Sequence, residues 1–313
     1  MRLIRITVLL LLLAGWPLAP LLAQNGTEPA VAAAKAEPTE AKLSAKALEV
    51  FHIGPFPVTN SMLVTWIVAI CVIVFARYAT RQMKEVPDGA QNFWEFLVEQ
   101  LYDFLEVVVG ADLVKRTFWF FATIFIFIFF TNWFGLIPGV GTIGWGVQTA
   151  DGFEVTQPLF RGGNADLNMT SAMAIIFMAL WFIWSVQING VGGFLGHIFG
   201  AKGDLTGALK YIMMVIFFAV GFIEILSISF RPISLSLRLY GNIFAGESLL
   251  DAMSHMVRHP AWARHVFSAL LPVPFYFMEL LVGLVQALVF MLLTAVFTGV
   301  MCQHDEGHEK AQH

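Results

Sequence analysis

The chain has 313 residues, 58% of them hydrophobic and 13% charged, with a formal net charge of −4 and a mean hydropathy of +0.74. A soluble domain carries about 45–50% apolar and about 25% charged residues, so this composition excludes a water-soluble globular fold. Several runs exceed the ~18–20 apolar residues that cross a ~30 Å hydrocarbon core, which gives an all-α, polytopic membrane protein. Cys71 and Cys302 lie far apart in or near apolar segments. They offer neither a disulfide framework nor a metal-ligand spacing, and read as two buried thiols.

At the start, Arg2 and Arg5 precede an apolar stretch that ends at Ala23, the pattern of a secretory signal peptide over residues 1–23. Leu21 fits a small-x-small cleavage site poorly, so an uncleaved anchor stays open. Residues 24–55, rich in Ala, Lys, Glu and Pro, read as a flexible extracytoplasmic tether. A membrane domain fills 56–303, and 304–313 form a cytoplasmic tail.

Within the membrane domain, residues 61–79 form the first span. Arg77, Arg81 and Lys84 mark its cytoplasmic end by the positive-inside rule. After Pro87, Phe93, Leu97, Leu101, Phe104 and Val108 recur at helical spacing, with Glu95, Glu99, Asp103 and Glu106 interspersed. This is an amphipathic helix at the cytoplasmic surface. Its acidic face suits a protein partner better than anionic headgroups. Lys115 and Arg116 mark re-entry, and 117–139 crosses outward. Residues 138–163 form an external loop, glycine-rich and polar, in which Arg161 is the one positive residue. Residues 165–187 return, and 189–204 make a cytoplasmic connection.

Two long apolar tracts follow, 208–257 and 267–301. Pro232 removes a backbone donor and predicts a kink, but no polar turn surrounds it, which favours one long, tilted, bent helix over two spans. The count is five crossings, with the start outside and the tail inside. Division at Pro232 would put the tail outside.

These tracts contain Glu224, Arg238, Glu247 and Glu279, with the amides Asn242 and Gln286. A charge at mid-bilayer costs roughly 2.5–3.5 kcal/mol on insertion scales, so such groups face partners or water. Ser234, Arg238 and Asn242 follow at i, i+4, i+8 and share one helix face. Glu247 lies nine residues past Arg238, about 13 Å along the axis and on the opposite side. Glu279 and Gln286 share a face, with Gly283 between them permitting close helix approach. Helix-to-helix glue would need fewer polar groups. Carboxylates spread along adjacent helices can line water-filled paths for a cation, and the arginine is a barrier to its free passage.

"PISLSLRLYGNIFAGE", followed some forty residues later by "LVQALVFMLLTAVF", resembles subunit a of the F-type ATP synthase; "TNWFGLIPG" and "NADLNMT" fit as well. The resemblance covers residues 55 to 305, and its Arg-Leu-x-Gly-Asn-x-x-Ala-Gly-Glu string is highly specific. It implies a long, tilted helical hairpin against a rotating proteolipid ring of subunit c, each copy carrying one buried carboxylate. It also implies a complex with the peripheral-stalk subunit b in the lipid bilayer. Arg238 matches the family's essential arginine. Asn242, Glu247, Glu279 and Gln286 match positions along the external half-channel, and Glu224 and Ser234 match the cytoplasmic side. Where some members carry His, this chain has Glu279, so Glu247 and Glu279 form a carboxylate pair able to share a proton. The signal-like start departs from the shortest members and suggests export of the N-terminus across a bacterial inner membrane.

The chain is therefore expected to conduct protons as a stator, with no active site, cofactor, metal or nucleic acid of its own and the translocated ion as its one small substrate. A Na⁺-translocating synthase is the first alternative. An ion-coupled secondary transporter is the second, but it expects an internal repeat with paired broken helices, which is not seen. A pure scaffold is the third. His304 and His308 beside Asp305 and Glu306 read as a solvated tail rather than a metal site. His255, His259 and His265 fall in the external turn, where proton collection is the lesser reading. "GVGGFLG" is a connection and not a phosphate cradle.

Overall fold

The structure, a computed structural model, describes residues 47–149, 152–199, 208–254, 256, 266–268 and 270–302. The signal-like start, the tail with its histidines, and His255, His259 and His265 lie outside the described residues. In chain order the elements are β1 (Glu49–Ile53), β2 (Phe56–Thr59), α1 (Asn60–Ala79), α2 (Gly89–Val109), α3 (Ala111–Gly135), β3 (Gly144–Thr149), β4 (Gly152–Pro158), α4 (Leu167–Phe199), α5 (Ala208–Ser254) and α6 (Pro272–Cys302). Five helices, all but α2, are long and apolar enough to cross a membrane. The fold is a polytopic helical bundle with two small antiparallel hairpins, β1–β2 and β3–β4.

The tether read over 24–55 ends earlier than expected. Residues 49–53 pair with 56–59 around Gly54, and Asn60 N–H donates to the Leu48 carbonyl. Thr59 then caps α1, its hydroxyl accepting from Met62 N–H. Cys71 sits exposed on the outer side of α1 and Cys302 is half-buried, so the expectation of two buried thiols fails for Cys71.

Helix α2 is amphipathic, but its buried stripe is turned from the one read in the sequence. Leu101, Leu105 and Val109 are buried, with Trp94, Leu97 and Val108 packed against the core, while Phe93 and Phe104 are exposed. The helix touches α3 and α6 at once, and those two contacts set the face. Gly110 alone separates α2 from α3; its φ of 85° reverses the chain in a conformation that L side chains rarely adopt.

The core is aromatic. Phe120, Phe121, Phe177 and Trp184 meet edge-on or stacked between α3 and α4. The polar ends of two indoles are answered by helix carbonyls, buried Trp181 Nε1 donating to Phe297 at 3.1 Å and exposed Trp133 Nε1 to Leu280 at 3.2 Å. The segment 189–204, read as a plain connection, stays helical to Phe199 after a kink at Gly190 (φ 70°). Asn189 pins that corner by donating to the Met301 carbonyl at 2.8 Å.

Helix α5 is one element of 47 residues with Pro232 inside it, as the lack of a polar turn predicts. At ~1.5 Å per residue it is about 70 Å long, far more than a ~30 Å hydrocarbon core, so it tilts, extends past the bilayer surface, or does both. It packs on α4 and α6, yet only 11% of its most apolar stretch is buried, against 61% in α3.

The connection between α3 and α4 is not a plain surface loop. Its last residues, Arg161, Gly162, Gly163, Asn164, Ala165 and Asp166, are all buried and touch α1, α3, α4 and α5. Ser61 Oγ donates to Asp166 Oδ2 at 2.6 Å, and Asp166 Oδ1 accepts from Asn168 N–H at the start of α4. The sequence hides this seat because a glycine-rich stretch reads as exposed when its neighbours are unknown. A Cβ on Gly163 would come within 2.7 Å of Thr65 Oγ1 and 2.8 Å of Thr131 Cγ2. Gly163→Ala is expected to destabilise the detergent-purified protein by about 1–3 kcal/mol, read as a lowered thermal midpoint. An unchanged midpoint would mean that the loop does not seat there.

Candidate functional site

Where α5 and α6 run side by side, each turns polar side chains toward the other, and the buried loop closes one end. Glu247 on α5 meets Arg161, whose Nε lies 3.6 Å from Glu247 Oε2; the side chains are 8% (Arg161) and 15% (Glu247) exposed. Gly162 packs directly against the same carboxyl. Glycine at 162 is a matter of space, since a Cβ there would strike Glu247 Oε1. The Arg161 guanidinium sits 5.7 Å from the Phe244 ring, one turn back along α5.

One residue before Glu247, Gly246 makes room for Glu279 of α6. A Cβ at Gly246 would occupy the place of the Glu279 carboxyl, which is buried and whose Oε1 lacks a hydrogen-bond partner. Further along, Asn242 Nδ2 donates to Gln286 Oε1 at 2.8 Å. Arg238 comes next on the face of Asn242, exposed and with no acidic partner among the described residues. Glu247, Glu279, Asn242 with Gln286, and Arg238 thus follow each other over nine residues of α5, about 13 Å of helix.

Toward the other end of α5, Ser234 is exposed. Glu224 is half exposed and paired with Arg231 at 3.3 Å, and Arg231 lies 4.5 Å from the Phe297 ring of α6. The seven residues named from the sequence therefore fall into three places. Asn242, Glu247, Glu279 and Gln286 gather between α5 and α6, Arg238 and Ser234 face outward, and Glu224 stands apart with Arg231.

Sequence reasoning missed the support of this ladder. Asn132 on α3 donates to the Gly283 carbonyl at 2.9 Å, between Glu279 and Gln286, and Asn164 donates to Asn132 Oδ1 at 2.6 Å. One loop thus holds both helices, α5 through Arg161 and Gly162, and α6 through Asn164 and Asn132. The signals were available: Arg161 is the lone cation of its stretch, and both amides lie in the quoted strings "TNWFGLIPG" and "NADLNMT". No group of three or more metal-ligating side chains occurs among the described residues.

The family model for the ATP synthase A chain matches residues 62–299, nearly the whole membrane bundle. The chain belongs to the ATP synthase A chain family. ATP synthase subunit a of Moorella thermoacetica is 30% identical over 250 residues, which is 80% of this chain and 94% of that protein. Subunit a of Desulforamulus reducens is 31% identical over 255 residues, 80% of this chain and 81% of its own. That of Gloeobacter violaceus is 28% identical over 260 residues, 82% and 90% respectively. As a family member the chain is a multi-pass, membrane-sector subunit of the ATP synthase complex without an active site of its own.

The fit of Gly246 to Glu279 gives a direct test. Gly246→Ala is expected to lower ATP synthesis by the assembled complex about tenfold, the equivalent of ~1.4 kcal/mol, by displacing the carboxyl. Adding Glu279→Asp, which shortens the acid, is expected to restore part of the loss. Wild-type synthesis by Gly246→Ala would place the carboxyl elsewhere.

Proposed function

We propose that the chain is the proton-conducting stator subunit of an F-type ATP synthase, coupling proton flow to rotation of a ring of subunit c. The observation that carries this reading is the bare face of α5. A fixed cation, Arg238, stands exposed there among the exposed apolar residues Phe230, Ile233 and Leu237, one turn from Asn242 and the polar ladder that runs inward to buried Gln286 and Glu279. An apolar face with one unanswered arginine fits an apolar rotor surface bearing one carboxylate per subunit.

Protons enter from the external side along Glu247, Glu279, Asn242 and Gln286, and leave toward the cytoplasm past Ser234 and Glu224. The ring carboxylate is briefly ionised as it passes between the two half-channels. A nearby cation lowers the cost of that charged form. The same cation repels a proton hopping straight from one half-channel to the other, so transfer requires rotation. Arginine suits both duties because it does not deprotonate, whereas a desolvated lysine can.

Subunit c and the peripheral-stalk subunit b are the proposed protein partners. The chain lies in a bacterial inner membrane with its start periplasmic and its tail cytoplasmic. The proposed layout is signal peptide 1–23, a tether, the membrane domain to 303 and the tail 304–313.

Arg238→Ala is expected to abolish proton-driven ATP synthesis in inverted vesicles, and Arg238→Lys to lose most of it. The Ala variant is also expected to leak protons through the membrane sector once the catalytic head is stripped. Normal synthesis by assembled Arg238→Ala would overturn the mechanism. For orientation, a cysteine at position 160, in a background lacking Cys71 and Cys302, is expected to react with an impermeant thiol reagent from the periplasm. Cysteines at 203 or 308 are expected to react only from the cytoplasm. Periplasmic labelling at 308 would contradict the five-crossing orientation.

A further inference from the structure

The external end of the ladder contains a second membrane-level arginine, and its surroundings leave it a narrow set of uses. Three backbone layers stack there. A Cβ on Gly135 of α3 would lie 3.1 Å from Gly162 Cα, and a Cβ on Gly162 would in turn strike Glu247 Oε1. Glu247 therefore cannot swing toward the loop, and its carboxyl is met from that side by Gly162 and the Arg161 guanidinium. The guanidinium is itself held over Phe244, which stacks on Tyr240 at 5.6 Å. Released from these contacts, a glutamate on an outer turn of α5 has other rotamers open to it. Glu279 sits against the preceding residue, Gly246, so a change of the Glu247 rotamer changes how the two carboxyls stand to each other.

We propose that Arg161 is a positioning residue of the external proton path: it acts through Glu247, holding that carboxyl next to Glu279 so that the two stand in series. This rests on the stator reading above. The pair is nearly dry, so removing one member strands the other's charge, whereas removing both leaves none. A lysine at 161 would keep the charge but lose the planar fork and the stacking on Phe244.

The test is a double-mutant cycle in the whole complex, with proton-driven ATP synthesis, passive proton conductance of the stripped membrane sector and copurification of the ring read together. Arg161→Gln and Glu247→Gln are each expected to lower synthesis about tenfold. Passive conductance is expected to fall with it while the ring still copurifies. Arg161→Gln with Glu247→Gln is expected to be no slower than Glu247→Gln alone, and Arg161→Lys to keep part of the activity. Failure of Arg161→Gln to assemble, with the double variant assembling at the Glu247→Gln rate, supports the proposal equally, since the stranded carboxylate is then the cause. Three results overturn it. Arg161→Gln or Glu247→Gln could work at the wild-type rate. The double variant could be several-fold slower than Glu247→Gln, which would mean that Arg161 acts independently. Both Arg161→Gln variants could fail to assemble while Glu247→Gln assembles, which would make Arg161 a packing residue. Failure of the stator reading itself would show separately, as normal synthesis by Arg238→Ala.

Discussion

A carboxyl buried in a membrane-spanning helix has no bulk water to fall back on, so another part of the chain must come to it. In this protein that constraint falls on Glu247 and Glu279, and much of the bundle is arranged around how it is met. The segment Arg161–Asp166 is drawn into the interior to reach Glu247. Its own polar groups must then be answered, by Ser61 on α1, by Asn132 on α3 and by the first turn of α4. Asn132 carries the connection on to Gly283 of α6. Five helices are thereby registered against one another through a six-residue loop, four directly and α6 through Asn132. Apolar packing alone would not fix that register, because lipid tails satisfy an apolar helix surface nearly as well as another helix does.

The same arrangement explains why α5 has two unlike sides. Its inner side is tied down by Glu247 and by Gly221, where a Cβ would collide with the Ile198 carbonyl and the Phe199 ring of α4, and the Asn242–Gln286 bond secures it to α6 at the margin of the bare face. Its outer side carries long apolar residues, Ser234 and Arg238, and none of the described residues covers it. A helix held this firmly on one side can keep the other side bare without losing its place. In the proposed reading that is what a stator must do: present a fixed surface to a rotor that slides past without binding in any one position.

The bundle itself was legible in the sequence, because the number of apolar runs, the unbroken tract through Pro232 and the amphipathic helix after Pro87 depend on local composition and period alone. The pairing of Asn242 with Gln286 was half legible: both were singled out, but which helices would meet is a matter of packing. What could not be read were features created by long-range contact. The buried face of α2 is decided by α3 and α6 together, and so turned away from Phe93 and Phe104. The seat of Arg161 is decided by glycines that read as loop formers until the neighbours are in place, and the helical turn after Gly190 is stabilised by Met301, more than a hundred residues away.

Three arginines on or beside α5 mark the limits of what charge in a membrane can be used for. Arg161 is buried and meets Glu247; Arg231 is partly buried and meets Glu224 while lying against Phe297. An arginine already met by a carboxylate of its own chain has little left to offer a passing one, because a second anion would be only weakly attracted to a neutralised pair. Arg238 differs in both respects. It is exposed, and no carboxylate of the described chain lies within ion-pairing distance. Leaving a guanidinium unanswered at the centre of a long apolar face is costly, and the cost is removed only if an anion arrives from outside the chain. The carboxylates that might have quenched it are held elsewhere: Glu247 lies nine residues on, about 13 Å along the helix and on its opposite side, and is engaged by Arg161, and Glu224 is held by Arg231. In the proposed reading, the other two arginines keep the chain's own acids off Arg238, so that its field remains available to the ring carboxylate.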